Sequence, residues 1–341
     1  MNTQAKADAA AQNMARWCGN ATEGLFAISG CPPTSWSEVL AEQLPQPSPV
    51  TLVNVGANKG WAAAEFFGRW SQRPPKWLQK WRDVIVDYGV KNSKNTLKTM
   101  PFGQCTREME HAAQNPAARH SRRGARVHML ELNPTNCALL RHIVSALGLE
   151  EKAHIHCFPA SNASQTIYYE PGVPGHEKSS IHITKKFRAC IKRKACASST
   201  TVTLDDLFAQ QGLSSAYQVT IDAEGADALV LEGMQGLLRR KAVRLLEFEY
   251  VRGRGFWSRR ERERRDLDSV LIKLQQFGYE CFWQSAMGPP LRGELSQAAL
   301  TPRLVPASPP CWQPAMAQTW WSNLVCAHEE AALTVLRRYV S

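Results

Sequence analysis

Val50-Thr-Leu-Val-Asn54-Val55-Gly56-Ala-Asn58-Lys59-Gly60 is the stretch on which the fold turns. Its first six residues form an apolar run of strand length, and Gly56 stops it. A glycine directly after a strand lets the backbone turn sharply and leaves main chain bare for a ligand. Trp61-Ala-Ala-Ala-Glu65-Phe66-Phe67 then has helical character, so the unit reads as strand, turn, helix. Upstream, Pro45-Gln-Pro47-Ser-Pro49 has linker composition and sets residues 1–49 apart as an N-terminal extension.

The same alternation resumes after an interruption. Residues 71–124 are rich in Lys, Arg, Asn, Gln and Pro and read as a basic insertion, partly helical at 76–88. Arg126–Glu131 is a second strand candidate. Asn133-Pro134 supplies a cap followed by proline at the first helical position, and Gly148 ends that helix. His154–Phe158 is a third strand, and 170–200 reads as a loop. Thr203-Leu-Asp-Asp206 fits a capping box. Tyr217–Asp222 and Val243–Glu249 are the fourth and fifth strands. A charged helix over 259–277 and late strands at Tyr279–Gln284 and Ser322–Ala327 follow, with a Pro-rich loop at 288–314 and a helix or tail at 331–341. Repeated strand–helix units predict an α/β fold with a mostly parallel sheet and helices on both faces. Ligands in such folds bind beyond the carboxyl ends of the strands, near the topological switch point.

Composition bounds the reading. A length of 341 residues predicts about two domains, or one with insertions. An apolar fraction of 44% supplies a large core and excludes a wholly disordered chain. No run of 18 apolar residues occurs, which excludes the ordinary signature of a membrane-crossing helix. The polar, Ala-rich start lacks the charged and apolar regions of a signal peptide, so a cytoplasmic location is favoured over an organelle or secretory lumen. Ten cysteines without a CxxC pair read mainly as small core hydrophobes and point to no metal site. Cys18 with Cys31, and Cys190 with Cys196, are the pairs expected to oxidise in an exported protein.

Four places carry chemistry. Gly56 and Gly60 bracket the first turn, with Asn58 between them. Glu131, ending the second strand, can accept hydrogen bonds from both hydroxyls of a ribose. Ser161 and Asn162 are small polar residues after the third strand. Asp222 and Glu224, closing the fourth, put two carboxylates at the strand tips, where desolvation is costly unless they bind something.

Taken in that order, these residues resemble the FkbM-type methyltransferases. The family's DVGANxG turn corresponds to Asn54-Val-Gly56-Ala-Asn58-Lys-Gly60, with Asn54 in place of the usual Asp. EPxP corresponds to Glu131-Leu-Asn133-Pro134, and the third-strand region to Ala160-Ser161-Asn162. TLDDL stands unchanged at Thr203–Leu207. KIDVEGAE corresponds to Thr220-Ile-Asp222-Ala-Glu224-Gly225-Ala-Asp227, with Thr220 replacing Lys, and the late acidic strand to Leu246-Glu247-Phe-Glu249. The resemblance implies a Rossmann-like class I methyltransferase sheet over about 50–330, with a late antiparallel strand. It implies S-adenosyl-L-methionine as cofactor, held by Asn54, Gly56, Asn58, Gly60, Glu131, Ser161, Asn162, Asp222 and Glu224. It also implies methyl transfer to a hydroxyl of a carbohydrate or small metabolite, with Asp222 the first choice of base and Glu249 the second.

The net charge of +11 raises a rival. Basic clusters at Arg119–Arg126, Lys185–Lys194 and Arg239–Arg244 could bind nucleic-acid phosphate, as in an RNA methyltransferase. A solvated basic face accounts for such runs more simply, so a small-molecule or glycan substrate is favoured over nucleic acid, and no membrane partner is expected. A third reading is a non-catalytic binding module on the same fold.

Overall fold

Every residue of strand β1 (Val50–Val55) is buried, because both faces of this central strand are covered. In the computed structural model Val50 and Leu52 join one apolar layer, while Val53 and Val55 join the other. The structure describes residues 35–43, 49–71, 76–92, 124–175, 196–252, 257, 265–287, 301–309, 311 and 321–340.

β1 pairs in parallel with β2 (Ala125–Leu130) on one side and with β6 (Ala216–Ile221) on the other. β2 pairs in parallel with β3 (Ala153–His156), and β6 with β7 (Val243–Val251). β10 (Trp321–Ala327) lies antiparallel between β7 and β8 (Glu280–Met287), and β9 (Thr301–Pro306) closes the edge beside β8. The order is β3-β2-β1-β6-β7-β10-β8-β9. The chain winds outward from β1 to β3, then returns to the other side of β1 at β6. The switch point therefore lies between the tips of β1 and β6.

Helices α1 (Ser35–Gln43), α2 (Trp61–Trp70), α3 (Trp77–Asn92), α4 (Pro134–Ala146) and α9 (Glu330–Arg337) cover one face. Helices α5 (Leu204–Gln210), α6 (Asp227–Glu232), α7 (Gln235–Arg239) and α8 (Leu267–Gln276) cover the other. Local signals start two of them as read from the sequence. Asn133 accepts a hydrogen bond from the Thr135 N–H ahead of Pro134, and Thr203 accepts one from Asp206.

Several expectations need correction. The 71–124 insertion includes α3, whose Trp77, Leu78, Trp81 and Ile85 are core residues between α2 and α4. The N-terminal extension includes α1, with Trp36 and Leu40 packed in the same layer. The loop expected at 170–200 contains β5 (Ala197–Thr200), which pairs antiparallel with β4 (Thr166–Tyr169). The loop expected at 288–314 contains β9. The charged helix is interrupted at Asp266, which is extended and caps α8 through Ser269 N–H, while Arg265 before it is helical; residues 259–264 lie outside the described residues. The helix after β6 breaks at Gly233, where a Cβ would overlap the Ser161 carbonyl.

The described cysteines are paired, where most were expected as small core hydrophobes and, of those described, only Cys196 was expected to oxidise. Cys137 bonds Cys157, and Cys281 bonds Cys326 directly across paired strands. Cys196 and Cys311 are disulfide-bonded as well, and no described cysteine is free. Cys18, Cys31 and Cys190 lie outside the described residues.

Beneath α2, a polar row interrupts the apolar layer. Asn54, Thr220 and Glu247 are neighbours in register across β1, β6 and β7. The Glu247 carboxylate accepts from Gln218 Nε2 at 3.1 Å and from Gln284 Nε2 at 2.7 Å. Burial pushes the Glu65 carboxyl on α2 up to about 7; Arg69 opposes the rise, while Glu247 and Glu38 add to it. A folded-state value above the unfolded one means that the native protein holds a proton the unfolded chain has released. Glu65 therefore lowers stability as pH rises from about 4.5 through 7, by up to about 3 kcal/mol. Glu65→Gln is expected to leave stability at pH 4 unchanged and to raise it at pH 8. Urea unfolding at both pH values checks this; equal stabilities at pH 8 would refute it.

Candidate active site

At the switch point the backbones of β1, β2 and β6 are tied directly together. The N–H groups of Gly56 and Ala57 both donate to the Leu130 carbonyl at 3.0 Å, and Asp222 N–H donates to the Val55 carbonyl at 2.9 Å. Gly56 has φ +77°, and a Cβ there would overlap the Asp222 carbonyl oxygen. Its missing side chain thus serves the close approach of two strand tips, a demand different from the ligand contact expected from the sequence. Gly60 also has φ +77°, and its Cβ would stand 2.7 Å from the Trp81 ring. Trp81 Nε1 donates to the Lys59 carbonyl at 3.0 Å, so α3 braces the turn from behind.

Glu131 is the hub of the site. One carboxylate oxygen accepts from Asn58 N–H at 2.7 Å, the other from Asn133 N–H at 2.7 Å. Burial pushes its carboxyl up, while the N–H groups of Asn133, Asn58 and Leu132 and the Asn136 side chain pull it back toward the anion. The residue expected to hold a ribose therefore also joins the turn after β1 to the start of α4. A carboxylate offers about four lone-pair sites, and the four donors from Asn133, Asn58, Leu132 and Asn136 already engage them, so a ligand hydroxyl would have to share or displace one.

The turn after β6 is organised by a residue the sequence reading quoted but gave no role. Asp227 is fully buried, and its carboxylate accepts from Ala223 N–H and Gly225 N–H, both at 3.1 Å. Burial, and then the nearby Asp222 charge, raise its carboxyl above the ordinary range. Held this way, Glu224 takes the left-handed conformation with φ 53°, and Asp222 is exposed at the strand tip. The signal for this was present: an acid at the first position of a helix readily accepts the orphan N–H groups of the preceding turn.

Of the expected residues, Asn58 and Glu131 are joined by a direct bond, and bonds to Leu130 and Val55 bring Gly56 and Asp222 to the same strand tips. Asn54 lies one residue inside the β1 tip; its Oδ1 is buried and has no hydrogen-bond partner among the described residues. Glu249 is 7% exposed on β7, in register with Asn323. Ser161 and Asn162 bond elsewhere: Ser161 N–H donates to Val202, and Asn162 Nδ2 donates to Glu232 at 2.9 Å. Of the basic clusters, Arg239–Arg244 has Arg239, Arg240 and Lys241 exposed and Arg244 partly buried. Arg244 pairs with Glu329 at 2.8 Å, Arg240 lies 4.0 Å from Asp205, and Arg239 stacks over Phe277. The clusters at 119–126 and 185–194 fall, apart from Gly124, Ala125 and Arg126, outside the described residues.

Five parallel strands in the order β3-β2-β1-β6-β7, with an antiparallel β10 slotted before β8, make this a Rossmann-like methyltransferase fold. The model of the methyltransferase FkbM domain matches residues 87–281, more than half of the chain, and the chain belongs to that family. The matched span holds Glu131, Asp222 and Glu249; β1 and its glycine turn precede it. Among curated proteins none matches. The solved FkbM methyltransferase from Methylobacillus flagellatus KT is 12% identical with a TM-score of 0.37, over 83% of this chain and 45% of that one. This chain therefore spans less than half of that relative's length. Sp1610 from Streptococcus pneumoniae, a candidate tRNA (m1A22) methyltransferase, is 10% identical with a TM-score of 0.30, over 86% of this chain and 70% of that one. Likenesses this distant do not bear on the site. No helix among the described residues is long and apolar enough to cross a membrane.

Proposed function

We propose that the protein uses S-adenosyl-L-methionine to methylate a hydroxyl oxygen of a carbohydrate or small metabolite. The observation that carries this reading is the gathering of Gly56, Glu131 and Asp222 at the switch point, where an α/β sheet binds its ligand. The residues fit the cofactor. Glu131 is a carboxylate fixed at the β2 tip, whose oxygens a ribose diol would share with the N–H donors, and the unpartnered Asn54 Oδ1 is a buried acceptor suited to an ammonium group. When bound, S-adenosyl-L-methionine supplies an electrophilic methyl group.

The chain's own part is to orient the acceptor and to take its proton. In this reading Asp222 accepts the hydroxyl proton as the oxygen attacks, which its exposure at the β6 tip supports, and Glu249 on the next strand is the alternative. Positioning the two reactants in line supplies much of the remaining rate. The partly buried pairing of Arg244 with Glu329 takes one basic candidate out of reach of a nucleic acid and so supports a small hydroxylated acceptor. The disulfides support an oxidising compartment over the cytoplasm.

A panel of hydroxylated acceptors incubated with methyl-labelled S-adenosyl-L-methionine tests the reading. Label transferred to an oxygen supports it; transfer only to RNA, or to nothing in a protein that binds no cofactor, refutes it. Glu131→Ala is expected to weaken cofactor binding by about 1.5–3 kcal/mol, the worth of a charged hydrogen bond. Calorimetric titration measures this, and an unchanged Kd removes Glu131 from the cofactor site.

A further inference from the structure

Lys59 stands inside the glycine turn, yet its side chain is 2% exposed. A buried ammonium is costly unless partners replace its water, and an apolar side chain would fill the same volume without that cost. Lys59 Nζ donates at 3.1 Å to the carbonyl of Gly175, a residue 116 positions away. Two further bonds fasten the same short segment. Gly175 N–H donates to Asn136 Oδ1 at 2.7 Å, and Thr135 Oγ1 donates to the Gly172 carbonyl at 2.8 Å.

These contacts close a ring. Asn136 holds Gly175 through its oxygen, and its side chain also bonds Glu131. Glu131 in turn holds Asn58, the neighbour of Lys59. Burial, and then the nearby Glu131 charge, raise the hydroxyl of Tyr169 at the root of the segment. Residues 172–175 are therefore bolted to both turns that frame the Glu131 carboxylate.

We infer that Gly172–Gly175 forms the outer wall of the cofactor pocket and that Lys59 is the positioning residue that holds it there. The inference rests on the cofactor reading above and extends it to this chain's own wall. Lys59 touches no reacting atom. It acts by keeping the wall against Asn136, which keeps Glu131 aimed at the pocket.

The test is Lys59→Met, with Lys59→Arg as the conservative variant and Thr135→Val as an independent cut at the other end of the wall. Loss of a hydrogen bond from a charged donor is expected to raise the Kd for S-adenosyl-L-methionine by about tenfold or more. The donor KM is expected to rise by more than kcat falls. Lys59→Arg should recover part of the affinity, and Thr135→Val should shift Kd in the same direction by a smaller factor. Amide exchange at Val173 and Gly175 should quicken in Lys59→Met while the global unfolding midpoint stays near that of the wild type. If Lys59→Met does not fold, Thr135→Val alone decides through Kd and exchange. Wild-type binding with an unchanged Kd in both variants overturns the wall and leaves the cofactor reading standing. A wild-type protein that binds no S-adenosyl-L-methionine overturns both.

Discussion

Gly56→Ala is expected to destabilise the protein by at least about 3–4 kcal/mol and to abolish cofactor binding. Two independent costs add at this position. The backbone has φ +77°, which an alanine adopts only with strain, and the new methyl group would overlap the Asp222 carbonyl oxygen. Neither obstacle is a flexible side chain that could swing away. Relief requires the β1 and β6 tips to part, which breaks the Asp222-to-Val55 bond and displaces the exposed carboxylate. Gly124 provides the control: its φ is +76°, but nothing lies within 4 Å of its added Cβ. Gly124→Ala should therefore lose only about 1–2 kcal/mol, the strain of the left-handed backbone. Urea unfolding of the two variants separates conformational strain from collision. Similar losses in both would show that the strand tips relax easily and that the close approach is no constraint.

Asp222→Asn is expected to lower kcat by about 10²–10⁴-fold, the usual worth of a positioned general base, while cofactor Kd changes by less than about threefold. The amide keeps the size and the hydrogen-bonding reach of the side chain but cannot accept a proton as the acceptor oxygen attacks. The variant also removes the negative charge that, after burial, raises the Asp227 carboxyl. The turn after β6 should thus become more stable as turnover falls, a divergence that general unfolding would not produce. Rates measured at saturating donor, beside a thermal melt, decide the matter. Full turnover in Asp222→Asn excludes it as the base, and a loss confined to Glu249→Gln would transfer the role to Glu249.

Local chemistry explains which parts of this molecule could be read in advance. The Asn133 cap with Pro134 and the Thr203 cap involve residues two or three apart, so the sequence states them completely. The parallel strands were legible because strands buried on both faces become short apolar runs. α3 was legible as a helix but not as part of the core, because its surface-facing Lys, Arg and Asp residues dilute an apolar stripe of Trp77, Leu78, Trp81 and Ile85. β9 and β5 were missed for a related reason. Edge strands and two-stranded ribbons gain their stability from partners remote in sequence, Phe282–Met287 for β9 and Thr166–Tyr169 for β5. The same holds for the site: Glu131 was recognisable as an acid ending a strand, but its bond to Asn58 spans 73 residues.

By itself the amino-acid order determined the layered α/β plan, the positions of the strand tips and the acids standing at them, since apolar periodicity, glycine stops and caps act over a few residues. The tertiary structure alone decided what those residues do to one another. It set the Asp222 carbonyl in the space Gly56 leaves, joined Glu131 to two turns, buried Lys59 against Gly175 and drew Trp81 behind the turn after β1. Each of these is a contact between segments brought together by the burial of two apolar layers around one sheet, and no local pattern specifies which distant groups that burial will bring within hydrogen-bonding distance.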